Sequence, residues 1–293
     1  MTAYRFVERV KGSFHLRTLC RVLGVSPSGY RAWSRRPPSS RAIVDVALLA
    51  EIGEIHAGSG GTYGAPRVHA ALRARGRRVG RKRVARLMRG DGLVGVHRRR
   101  RASPAPRLPV RGAVTAPDLV RRRFSAPAPD RLWVADITSI PTGEGFLHLA
   151  AVLDAFSRRA VGWAAADHLG ASLALAAVDV AIAARHPGPG LVHHSDRGTQ
   201  YASVALGARL AGAGVVASMG APGSAYDNAL AEAFFASLET ELIDRSRWPT
   251  RDAALGDVLA WIDFYNEARL HSALGYLAPA EFERRYRPAP EPV

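Results

Sequence analysis

Three acids stand where a charge needs an explanation: Asp136, Asp196 and Glu232. Asp136 interrupts the apolar run WVADITSI, where a mid-strand Asp is disfavoured. Asp196 ends the apolar run GLVHHSD, straight before a glycine turn. Glu232 lies in YDNALAEAFFASLETEL, with 35 residues between it and Asp196. Two buried carboxylates at hydrogen-bond distance repel unless one is protonated or a cation sits between them. Hard oxygen donors with open positions favour Mg²⁺. Two such ions a few ångströms apart activate an oxygen nucleophile and stabilise the leaving oxygen of a phosphodiester. Each acid also has a plain structural use. Asp196 can cap a helix, and Glu232 can be a solvated helix residue. Asp136 is the hardest to dismiss this way.

The elements that must position these acids follow from periodicity. Alternation puts Val134, Asp136 and Thr138 on one strand face, and His194 with Asp196 on one face. If the first and fourth strands are neighbours, the two aspartates meet. A helix is expected over 225–243. At about 100° per residue, Asn228, Glu232, Ala236 and Glu239 share a polar stripe, opposite Leu230, Phe234 and Leu238, which pack on the sheet edge. Glu241 falls near the apolar side and reads as a frayed end. Asn228, His194 and Thr138 support the acids or touch DNA on one reading. On the other, Asn228 is a helix-start amide and His194 packs in the core. Asp154 in VLDAFSR reads as a turn cap, and Trp133 and Tyr201 as core.

Around these acids the chain reads as LWVADITSI, FLHLAAVLDAF and AVGWAAA in an antiparallel meander. A helix (172–184), strand GLVHHSD, a helix from Thr199 to Ala211 and strand GVVASM come next. A helix over 251–268 lies near the end. The fold class is α/β: a mixed five-strand sheet flanked by helices. Upstream, residues 14–35 give two short helices around Gly24, with Ser26 as N-cap and Pro27 at the first helical position. Three further helices fill 41–89. In the third, Val84, Leu87 and Met88 face inward, while Arg81, Lys82, Arg86 and Arg89 face outward. The expected domains are a helix-turn-helix-like region (1–36), a basic helical domain (41–100), a Pro/Ala/Arg linker (101–128) and a catalytic core with a helical extension (129–290).

Charge separates the halves. Residues 1–123 hold 28 Lys and Arg against 6 Asp and Glu, +22, and the remainder carries −6. A polycationic front half points to double-stranded DNA. Arg81, Lys82, Arg86, Arg89 and the run Arg98, Arg99, Arg100 and Arg101 are the candidate phosphate contacts. No stretch approaches the roughly 20 apolar residues of a membrane span. The single cysteine, Cys20, excludes an internal disulfide and a cysteine-rich zinc site. A cytoplasmic, nucleoid-associated protein is expected.

The pieces VLGVSPSGYRAW, GTYGAPRVHAALR, RKRVARLMR, WVADITSI, LAAVLDAFSRRAVGW, HHSDRGTQY, YDNALAEAFFASLETEL and WIDFYNEARLHSALGYLAPAEF carry a resemblance across nearly the whole chain. The chain resembles the second-reading-frame transposase (OrfB) of the insertion-sequence-three group, with a retroviral-integrase-like core. The resemblance implies a ribonuclease-H-like fold. It implies a D,D,E triad at Asp136, Asp196 and Glu232 binding two Mg²⁺ ions, with Mn²⁺ as a substitute. It also implies cleavage at element ends with strand transfer by a 3′-hydroxyl, fusion to or pairing with an upstream-frame OrfA-type protein, and a homo-oligomer on DNA. Glu239 departs from the group, which usually has Lys or Arg there, and Ala225 replaces its usual Cys. Two rival readings stand beside this one: a DNA-binding regulator or competitor without catalysis, and a nuclease acting on RNA–DNA hybrids.

Overall fold

The computed structural model describes residues 2–97, 116–220 and 228–288. Arg98, Arg99, Arg100 and Arg101 and linker residues 102–115 lie outside the described residues, as does Ala225.

The first helical unit has α1 (Ala3–Val10), α2 (Leu16–Val22) and α3 (Pro27–Arg35) around Val7, Cys20 and Tyr30. Ser26 Oγ accepts from Gly29 N (2.9 Å), so the expected cap is formed with Pro27 at the first position. The expectation of two helices missed α1. The second unit has α4 (Ser40–Gly58), α5 (Ala65–Ala74) and α6 (Arg81–Gly90). Val68, Leu72, Val84, Leu87 and Met88 pack against Ile52 and Ile55. The apolar period of α6 thus sets its inner face, as expected.

The core is one five-strand sheet: β1 (Leu132–Thr142), β2 (Gly145–Asp154), β3 (Ala160–Ala166), β4 (Val192–Ser195) and β5 (Val216–Met219). The spatial order is β3-β2-β1-β4-β5. The β1–β2–β3 meander is antiparallel, and β4 runs parallel to both β1 and β5. Helices α7 (Ala171–Arg185) and α8 (Val204–Gly212) cover one face over Trp133, Ala135 and Val152. Helices α9 (Ala229–Glu241) and α10 (Arg251–Glu267) cover the other over Val134, Ile140 and Leu149. Phe234 is the anchor there, edge-on to Tyr265 and Trp261 at 4.8 and 5.5 Å between ring centroids. Burying such a ring contributes about 1.5–3 kcal/mol. Gly162 on β3 lets α7 approach: an added Cβ would overlap Ala177 O and lie 2.6 Å from Ala181 Cβ. Helix α11 (Pro279–Arg284) is the last helix among the described residues. Among the described residues, no helix is long and apolar enough to cross a membrane.

The structure corrects four expectations. Helix α8 begins at Val204, not Thr199, because Asp196 holds Gly198 in a turn and Ser203 Oγ caps Leu206 N (3.2 Å). Helix α9 packs its Leu230–Phe234–Leu238 stripe on the sheet face, not its edge. Glu241 is no frayed end. It is buried and accepts two hydrogen bonds, both 2.7 Å, from the buried Arg269. Finally, residues 116–128 are not an open linker. Val120 and Phe124 pack into the core, and Leu119 N donates to Ser218 Oγ (3.0 Å).

Candidate active site

Strands β1 and β4 pair in register up to Ala135 and Ser195. The next residues in that register are Asp136, still inside β1 and paired with Ala151 of β2, and Asp196, the first residue past β4, so the two stand side by side at the carboxyl end of β4. Both are half-buried. Asp136 Oδ1 accepts from Ile137 N (2.8 Å), and Asp196 Oδ1 accepts from Gly198 N (2.9 Å). The glycine leaves room for this bond: a Cβ there would stand 2.9 Å from Asp196 Oδ1, and the carboxylate would have to shift. This explains an acid directly before a glycine turn: the turn fixes the carboxylate. Arg197 Nε donates to Gly220 O (2.8 Å) and ties the same turn to the end of β5.

Glu232 is exposed on the first turn of α9. That turn is anchored to β1 by Asn228, whose Nδ2 donates to Ala135 O (3.1 Å). Asn228 therefore does not cap its own helix. It reaches across to the residue beside Asp136. Among the described residues, no three His, Cys, Asp or Glu side chains stand close enough together to hold one ion. The structure thus brings the aspartates together and ties the helix of Glu232 to their strand, without gathering a closed three-carboxylate cage.

Other candidates fall as follows. Thr138 lies on the Asp136 face of β1, half-buried. His194 is buried, shares a hydrogen bond with Ser218 Oγ (2.9 Å) and meets Phe124 edge-on. Asp154 is a turn hub: its carboxylate accepts from Phe156 N, Ser157 N, Ser157 Oγ and Asp130 N. Trp133 is fully buried. Tyr201 is buried too, but it is more than core. Its hydroxyl has no hydrogen-bond partner among the described residues. Burial first, then the charges of Asp136 and Asp196, push its pKa well above the usual phenol value. The sequence offered only its place in HHSDRGTQY as a signal.

On the basic unit, Arg81, Lys82, Arg86 and Arg89 are exposed on α6. Arg86 is also bonded to Asp45 of α4 (2.6 Å), and Arg83 contacts the same carboxylate. Arg75 and Arg77 pair with Glu54 and Glu51.

Two family models of the integrase core domain match residues 126–225 and 213–279, and an HTH-like domain matches residues 44–101. The transposase for insertion sequence element IS629 of Shigella sonnei is 38% identical over 96% of this chain and 95% of its own length. Transposase InsF for insertion sequence IS3A of Escherichia coli K12 is 34% identical over 96% and 98%. The chain belongs to the insertion-sequence-three family of transposases. A relative from Mycobacterium tuberculosis, assigned as transposase for insertion sequence element IS986/IS6110, is 40% identical over 89% of this chain and 96% of its own. The transposase is therefore a DNA-binding polynucleotidyl transferase with a ribonuclease-H-like core. No relative or family model favours a DNA binder without catalysis.

Proposed function

We propose that Asp136, Asp196 and Glu232 are the catalytic carboxylates of this transposase and its ligands for divalent metal, Mg²⁺ with Mn²⁺ as a substitute. The observation that carries this reading is the β1–β4 register, which sets Asp136 beside Asp196. Their donor type fits a hard cation. Glu232 completes the set by approach of the first turn of α9. When bound, two divalent ions supply charge stabilisation at the attacking and leaving oxygens of a phosphodiester.

The chain's own residues do the rest. The Ile137 and Gly198 amides hold the two carboxylates in fixed orientation. Asn228 holds α9 to β1. The exposed cations of α6 grip phosphates largely without regard to sequence. On this reading the protein cleaves element ends and transfers strands on the nucleoid. It works as a homo-oligomer with, or fused to, an OrfA-type protein that supplies end recognition.

Asp196→Asn tests the assignment. Its Oδ1 still accepts from Gly198 N, so folding is retained. Mg²⁺-dependent joining of element ends and Mn²⁺ binding, followed by electron paramagnetic resonance, are both lost. Wild-type joining by this variant removes Asp196 from the site.

A further inference from the structure

Two sequence pieces, GTYGAPRV of the basic unit and YNEARLHSALGY at and beyond the end of α10, meet in space although about 200 residues separate them. Tyr63 OH donates to Ala268 O (3.4 Å) and accepts from Leu270 N (2.7 Å). Arg67 Nε donates to Leu270 O (3.0 Å), and its guanidinium lies over the Tyr63 ring. Phe264 and Leu270 pack into the apolar core of the basic unit. Arg245 donates to Gly60 O (2.8 Å), a second tie to the same loop.

The centre of this contact is Glu241. Its carboxylate is gripped from the core side by Arg269, and side-chain exposure is only 3% for Glu241 and 4% for Arg269. From the other domain, Arg67 Nη1 stands 3.5 Å from Glu241 Oε1. Glu241 is the last residue of α9, and Glu232 lies on the first turn of that helix. Nine residues at 1.5 Å each make the distance along the axis roughly 13 Å. A hydrogen-bonded helix of that length moves as one body.

We propose that Arg67 is a positioning residue: through Glu241 it joins the HTH-like domain to α9, so that DNA seated on that domain sets the placement of Glu232. The part concerning Glu232 rests on the triad reading above. The connection itself does not. Arg67 is spent on this internal joint, through Leu270 O, the Tyr63 ring and Glu241. Tyr63 and the buried Glu241–Arg269 pair give the joint its direction, and α9 carries it to the sheet end.

The experiment uses the full chain and a duplex carrying an element end. Hydrogen exchange of residues 229–241 is followed with and without DNA, beside affinity, KM and kcat for joining. In the wild type, DNA slows α9 exchange. In Arg67→Met, affinity stays within about threefold, DNA-induced protection of α9 is lost and kcat falls at least tenfold with KM unchanged. Arg67→Lys, which restores the charge toward Glu241, recovers protection. Tyr63→Phe, which keeps the ring and loses both hydrogen bonds, reproduces a partial loss and guards against misfolding of the first variant. Full DNA-induced protection in both Arg67→Met and Tyr63→Phe overturns the proposal. If the triad reading alone is wrong, Glu232→Gln joins ends normally while Arg67→Met still abolishes protection.

Discussion

Asn228→Ala tests how tightly the first turn of α9 must be held. The amide donates to Ala135 O at 3.1 Å, and both residues are buried. Removing one donor from a buried carbonyl that also sits in the β1–β4 ladder costs about 0.5–1.5 kcal/mol. The offset is real: Asn228 Oδ1 is itself buried without a partner among the described residues, and truncation removes that acceptor. The net loss is then about 1 kcal/mol, small against a domain's total stability. The functional loss is larger. With the tie to β1 gone, the first turn of α9 is free to shift, and a displacement near 1 Å costs roughly 100-fold in rate. Urea unfolding measures the first quantity. Single-turnover joining of a pre-cleaved element end at saturating DNA measures the second, with duplex affinity as control. We expect joining about 100-fold slower, stability about 1 kcal/mol lower and affinity unchanged. Joining within twofold of wild type, with stability within about 0.5 kcal/mol, refutes the claim that this hydrogen bond positions the site.

Two further outcomes follow from the packing and from a buried histidine. Gly162→Ala drives a methyl into the backbone of α7 at Ala177 and Ala181; it lowers stability by about 1–3 kcal/mol, read by thermal or urea unfolding, and an unchanged midpoint contradicts the close approach. His271 is held neutral, its pKa lowered from 6.5 to about 3 by burial first and then by Arg269, Arg67 and Arg158. The unfolded chain binds the proton that the folded chain excludes, so this stability is complete above pH 6.5 and drains as pH falls toward 3. His271→Gln therefore shows a stability–pH slope shallower than wild type by about 1 kcal/mol per unit between pH 6 and 4; parallel slopes reject the assignment.

The legible part of this molecule is what short-range pattern encodes. Period-two alternation located β1, β2 and β3, and it placed Asp136 and Val134 on one face. The phase of α6 gave Val84, Leu87 and Met88 inward. The neighbourhood of the aspartates was legible only as a condition, since adjacency of β1 and β4 is a long-range fact. Glu241 was unreadable because its partner Arg269 is 28 residues away. An isolated Glu on an apolar stripe looks like a helix end until that guanidinium is seen. The start of α8 was misplaced because turn residues compete with helix: Gly198 serves Asp196, and only Ser203 can cap. Tyr201 reads as any buried aromatic, since nothing local reveals that the charges of Asp136 and Asp196 reach its hydroxyl.

Asp45 gives the basic domain an internal counter-ion. It occupies Arg83 and Arg86 on the helix that would meet DNA. A phosphate arriving there displaces a carboxylate already in place, and some of its attraction is cancelled by the partner it evicts. Fewer condensed cations are then liberated per arginine than a tally of guanidiniums forecasts. Nonspecific duplex is then expected to be held less tightly than the arginine count alone forecasts.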